Sequence, residues 1–327
     1  MKLYKRVAAC LLTAVIVIST MLTVCGDGSN PDIPDDPDSN TPSTLPKPDE
    51  IVLPDIDGSE GGDEGTETKP TKTPIADVNN SKLAQFNNKY ASATEFYAEM
   101  QLVFYDEDGS TRLSNDLRTA RKGESFYLSS TALGKNQKQW ALELLRLKNK
   151  STWDQYRLLR SSKVAFKTGS LDDDEVDMSL NSSIELEREL PAQMWSTKVK
   201  VGPTEYYAEV YHSNSIEHTI CYTADGKPVY HFKRDLSNGK LVAAWLYKTI
   251  QVGSGTSKGL CELPSDFKTY SYDEKKEQFI DANGNKFPVE RQFNSEGKRT
   301  GFKVYDKNNK DVTADFEWLP DVLVLTP

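Results

Sequence analysis

The chain is poor in the residues that usually carry chemistry. Of its 327 residues only 3 are histidine and 4 cysteine. Cys10 and Cys25 fall in the first 25 residues, which leaves Cys221 and Cys261 for the rest. Two cysteines and three histidines standing apart (His212, His218, His231), with no His-Glu-x-x-His helix, give no zinc or other metal site. A basic excess is missing too. Residues 79–327 hold 34 basic against 35 acidic side chains, whereas phosphate binding needs clustered Lys and Arg, so nucleic acid is no partner.

Catalytic patterns also fail on context. Gly255-Thr256-Ser257-Lys258-Gly259 matches a nucleophile elbow in letters, but Pro264 denies it a following helix and all three histidines precede Ser257. Asp281-x-Asn283-x-Asn285 starts like a calcium loop, yet Lys286 stands where that loop needs glycine. The acidic run Asp172 to Glu175 with Asp177 reads as a solvated loop. Paired carboxylates of the glycosidase kind meet only through the fold, so spacing leaves them open. The expectation is a non-enzymatic chain without cofactor.

What is present begins with an address. Lys2, Lys5 and Arg6 precede Val7 to Val24, 18 residues without a charge, and the run stops at Cys25-Gly26-Asp27. This is the build of an export signal. Leu22-Thr23-Val24-Cys25 resembles the lipobox of bacterial lipoproteins, which implies cleavage before Cys25 and attachment of a diacylglyceryl group there. Val24 departs from the small residue usual at that place. Two other readings stay open: an ordinary signal-peptidase cut after Gly26, or an uncut helix of roughly 27 Å spanning the membrane. All three place the protein outside the cytoplasm, at a bacterial cell surface or in a periplasm.

Residues 25–78 read as a tether. From Gly26 to Val78 there are 14 acidic residues against 3 lysines, and 9 of the 16 prolines. Such a stretch self-repels and buries no core.

The folded body is expected over 79–272. Leu83, Phe86 and Tyr90 recur at helical spacing behind an N-cap at Asn80-Ser81. The period then switches to two, with Phe96, Ala98, Met100, Leu102 and Phe104 on one face, as a strand with one buried side requires. Further strands are predicted near Arg112 to Ala120, Glu124 to Ser130, Lys198 to Val201, Glu205 to His212, Ser215 to Tyr222, Pro228 to Lys233 and Lys240 to Val252. Turn sequences such as Ala224-Asp225-Gly226 separate them. Lys138 to Leu159 suits strands or a helix, with strands favoured. Ser182 and Glu185 form a capping box for a short inserted helix. Residues 273–327, with turn clusters at 281–285, 294–298 and 306–310, predict a small β-hairpin extension. Cys221 and Cys261 are either a disulfide or two buried thiols.

The predicted fold class is therefore mainly β (α+β): one large curved antiparallel sheet, or unclosed barrel, with an N-terminal helix, a short inserted helix and a C-terminal β appendage. This order, with Tyr206-Tyr207-Ala208-Glu209-Val210-Tyr211, Gly226-Lys227-Pro228-Val229-Tyr230 and Leu263-Pro264-Ser265-Asp266-Phe267-Lys268, resembles the LolA-like superfamily and its LppX-type lipoproteins. The resemblance implies carriage or sensing of a lipid or other apolar ligand without catalysis. The alternative expectation is a surface interaction or structural module that holds no small ligand and meets a surface protein. The membrane itself is the partner expected at Cys25.

Overall fold

The computed structural model describes residues 45–56, 70–90, 92–134 and 139–318. The signal segment and Cys25 lie outside them. Helix α1 (Lys82–Tyr90) forms where the spacing predicts it. Ser81 Oγ accepts the N–H of Ala84 at 3.0 Å, satisfying one of the amides that every helix start leaves open. The carboxylate of Glu209 accepts the N–H groups of Lys82 and Leu83 at 2.6 and 3.0 Å. Leu83 and Phe86 then point into the core, 0 % and 3 % exposed.

After α1 the chain runs through β3 (Glu95–Tyr105), β4 (Thr111–Lys122), β5 (Ser125–Gly134), β6 (Gln139–Asn149), β7 (Thr152–Leu159) and β8 (Val164–Asp172) as an antiparallel meander. Within the stretch 138–159, the described residues from Gln139 onward thus resolve to strands. A second meander follows: β9 (Trp195–Val201), β10 (Thr204–Ser213), β11 (Ile216–Tyr222), β12 (Pro228–Asp235) and β13 (Leu241–Val252). Gly226, at φ +81°, supplies the left-handed residue that the β11–β12 turn needs.

The two meanders join where β13 pairs antiparallel with β3, placing Trp245 opposite Leu102 and Tyr247 opposite Met100. The register slips between Tyr247 and Thr249, a bulge that keeps Ile250 and Val252 on the face of Trp245 and Tyr247. Among the described residues the result is one large unclosed sheet, mainly β with two short α-helices.

Its far end is extended by β14 (Lys268–Asp273), which lies parallel to β8, and then by β15 (Gln278–Asp281), β16 (Lys286–Phe293) and β17 (Arg299–Val304). The parallel pair exists because residues 253–267 form a long connection from β13 rather than a hairpin. These last strands cover their own core, in which Phe166, Tyr270, Phe279, Phe316 and Trp318 meet. The boundary expected between 272 and 273 falls inside β14.

Three expectations need correction. Strand β3 is buried on both faces, since Tyr97, Val103 and Tyr105 are 1 %, 8 % and 7 % exposed. The inserted helix α2 (Leu180–Ser183) is capped by Ser179, which accepts from the Ser182 N–H at 3.2 Å. Glu185 is no capping residue there: it takes a left-handed φ of 55° and reaches Lys233 at 3.6 Å. Finally, part of the presumed tether is folded. β1 (Ile51–Val52) and β2 (Thr73–Pro74) both pair along the free edge of β9. Leu45, Ile51 and Leu53 pack against a core of Val103, Val199, Tyr230 and Leu246. A few apolar residues in an acidic stretch suffice, because an open sheet edge offers them unpaired backbone groups.

The sheet is therefore layered on both sides. Its inner face carries α1 and residues 176–194. Its outer face carries 45–56 at one end and 253–267 at the other.

Candidate functional site

On the inner face the space beneath α1 and the insert is filled. Leu83 and Phe86 from α1 and Met178, Leu180, Ile184 and Leu186 from the insert meet Phe96, Met100, Trp245 and Tyr247 of the sheet, all within 7 % exposure. Side chains so far removed from solvent pack against one another, and among the described residues they surround no open cavity at this place. Between this core and the C-terminal one, the register puts Leu117, Leu128, Leu142 and Leu144 on the same face. These four are half-buried and form a shallow apolar strip.

Within the filled region lies a polar pair that sequence spacing did not show. His218 and His231, 13 residues apart, bring Nδ1 and Nε2 to 3.0 Å. Register explains it: His218 opposes Lys233 and Ile220 opposes His231 on neighbouring strands. Tyr211 stacks on His218 with ring centres 4.6 Å apart, and Trp245 stacks on His231 at 5.1 Å. Burial, with Lys233 nearby, pushes the His218 pKa down to about 3 and that of His231 well below its usual value. Both rings are neutral at physiological pH.

The outer face holds a second buried polar cluster. Glu217 is 0 % exposed. Its Oε1 accepts from Arg234 Nε at 3.0 Å and also from Nη2, while its Oε2 accepts from Lys72 Nζ at 2.5 Å and lies 3.3 Å from His212 Nε2. Arg234 Nη2 also donates to the carbonyl of Pro54 at 2.6 Å, and Lys72 Nζ to that of Ile56 at 2.9 Å. The N-terminal strap is thereby clasped on both of its described stretches through one buried carboxylate.

Two grooves open at the surface around β9. One, of about 430 Å³, lies between the end of the insert and the start of β9, lined by Glu187, Glu189, Gln193, Trp195, Tyr211 and His212 among others. The other lies along the β9 edge between β1 and β2, with Lys198, Lys200, Glu205 and Tyr207 in its wall. Both are open and partly polar.

The residues singled out in the sequence are dispersed. Cys221 and Cys261 are buried, free thiols in two separate core clusters, so the open alternative resolves to thiols rather than a disulfide. Ser257 is 3 % exposed and its Oγ donates to Glu95 at 3.2 Å, a contact that holds the 253–267 loop and involves no histidine. Asp281, Asn294 and Asp306 each accept backbone N–H groups two and four residues on, at 2.8 to 3.0 Å, which makes their clusters self-satisfied turns. In the acidic run, Asp173 accepts from Trp153 Nε1 at 2.7 Å and pairs with Lys148, anchoring the insert. Among the described residues no three His, Cys, Asp or Glu side chains converge on a metal-sized site, and no helix is long and apolar enough to cross a membrane.

No protein-family model matches the chain, and no curated protein matches it. Among solved structures, a Bacteroides fragilis protein with a YmcC-like fold, for which export is conjectured, shares 7 % identity. That alignment covers 48 % of this chain and 95 % of the other at a TM-score of 0.17, a value too low for a shared fold to be argued.

Proposed function

We propose that this protein is an exported module, held at a membrane through its N-terminus, that works by presenting surface grooves and faces to a partner rather than by enclosing a ligand. The observation that carries this reading is the filled inner face: Phe86, Met178, Ile184, Trp245 and Tyr247 occupy the space where a carried lipid would sit. The signal-like start, with Cys25 as its acceptor of lipid, supports the membrane address. Crosslinking in intact cells, followed by purification of the full chain, tests the reading. A wall or protein partner should be captured reproducibly, and repeated failure to enrich one speaks against it.

A second reading has its own observation. The strip of Leu117, Leu128, Leu142 and Leu144 is half-buried with nothing in the described structure fully covering it, and it suits the acyl part of an apolar ligand lying along the sheet. Fatty-acid labelling compared between the wild type and Cys25→Ala addresses the anchor separately. Equal label in both would remove lipidation from either reading.

A further inference from the structure

The strip of Leu117, Leu128, Leu142 and Leu144 lies beside the place where the described residues end. Ala98, Thr119, Leu128, Leu144, Arg157 and Phe166 oppose one another strand by strand from β3 to β8, so they form one row on the inner face. Leu117 and Leu142 belong to the neighbouring row, on either side of Ser130. Leu117 and Leu128 pack at the margin of the inner core. At the other end of the row, Phe166 meets the ring of Trp318 with centres 5.9 Å apart. Trp318 is 5 % exposed, and its indole N–H donates to the carbonyl of Asp315 at 3.1 Å, which fixes the last described residue against the C-terminal core.

The chain goes on from there as Leu319-Pro320-Asp321-Val322-Leu323-Val324-Leu325-Thr326-Pro327. Five of these nine residues are Leu or Val, and Asp321 carries the one charge. Left in water, the run from Val322 to Leu325 forfeits the burial that each of its side chains gains against an apolar surface. Pro320 disfavours helical backbone at Leu319, so the sequence leads away from Trp318 as extended chain rather than prolonging the one-turn helix Thr313–Phe316.

The distances match. Neighbouring strands stand roughly 4.8 Å apart, which puts Leu144 roughly 10 Å and Leu117 roughly 19 Å from the β8 strand that carries Phe166. At roughly 3.3 Å per extended residue, Leu323 reaches about 16 Å beyond Trp318 and Leu325 about 23 Å. Arg157 stands between Phe166 and Leu144, and Asp321, of opposite charge, precedes the apolar run.

We propose that Val322 to Leu325 dock on the strip of Leu117, Leu128, Leu142 and Leu144, so that the chain covers its own apolar surface. Tethering favours this occupant over an acyl chain from solution, because a segment joined at Trp318 meets the strip at an effective concentration in the millimolar range. The strip is then a self-occupied site, open to an outside apolar molecule only when residues 322–325 leave it.

This inference goes beyond the surface-module reading, and the two fail separately: a partner at the grooves would still be captured in intact cells with the strip bare. The test replaces Leu142 of the full-length protein with the photo-crosslinking residue p-benzoylphenylalanine and maps the products by mass spectrometry. Mixing with isotope-labelled chains separates crosslinks within one chain from those between two. A crosslink within one chain, localised to residues 319–327, supports the inference. The double variant Leu323→Asp, Leu325→Asp should lower its yield by about tenfold or more, with an unchanged urea midpoint as the check on folding. The same crosslinker at Leu133, exposed on the opposite face, should not capture these residues. A crosslink from Leu142 to a copurifying lipid or to a second copy in place of residues 319–327 overturns the inference. So does no capture of them, equal capture from Leu133, or undiminished capture in the double variant.

Discussion

Lys72 Nζ lies 2.5 Å from Oε2 of Glu217, a carboxylate with no exposed surface, across 145 residues of sequence. Together with Arg234 this contact decides where the N-terminal segment lies, since Lys72 and Pro54 both belong to the strap. Breaking it from the two sides should differ. Glu217→Gln leaves two buried cations facing a neutral group and should cost about 3–5 kcal/mol in urea denaturation. Lys72→Met leaves Glu217 paired with Arg234 and should cost less, about 1–2 kcal/mol, while speeding amide exchange at Ile51 and Val52.

The buried histidine pair sets a pH dependence. His218 has its folded pKa depressed to about 3 and His231 is also well depressed, whereas unfolded histidine titrates near 6.5. Below that value the unfolded chain takes up protons that the folded one refuses. Stability is therefore complete above about pH 6.5 and falls as the pH drops, approaching about 1.4 kcal/mol per pH unit for each histidine. Denaturation series between pH 7 and pH 5, run for the wild type and His218→Gln, should show a shallower slope in the variant.

The thiols should be inert. Burial pushes Cys261 up to about 12 and Cys221 higher still, so raising the pH into the range where a free thiol ionises does not expose a thiolate. Iodoacetamide should leave Cys221 and Cys261 unmodified in the folded protein at pH 8.5. Both should react in denaturant without prior reduction, as peptide mapping by mass spectrometry would show.

Glu209, 0 % exposed, carries the start of α1 by accepting from Lys82 and Leu83. Tyr207 donates to the same carboxylate at 3.1 Å. Glu209→Gln keeps the shape but removes the charge that favours a helix N-terminus, and should cost about 1–2 kcal/mol in thermal or urea denaturation. Exchange protection should be lost first in residues 82–90.

Much of the sheet was legible in the sequence because alternation and turn chemistry are local. The runs around Phe96 to Phe104 and Pro228 to Lys233, bounded by Asp108-Gly109 and Asp225-Gly226, became strands where expected. The helix with Leu83 and Phe86 did likewise. What escaped was set by non-local partners. Tyr97 and Val103 look like the solvent side of a strand until the 253–267 loop and the strap cover them. The strap itself reads as unfolded because its few apolar residues, Leu45, Ile51 and Leu53, gain their burial from strands far along the chain. The insert's helix moved because Ser179 caps it and Glu185 turns to Lys233. The histidine pair and the Glu217 clasp arise from strand register, which no spacing between His218 and His231 discloses.

The filled inner face is the point on which the functional reading turns, and native mass spectrometry of the full chain, purified gently from its host's membranes, tests it most directly. The account predicts a single species at the mass of the protein with whatever its own N-terminus carries, and no lipid released by solvent extraction in proportion to the protein. A stoichiometric lipid that survives purification and is freed by extraction would contradict it.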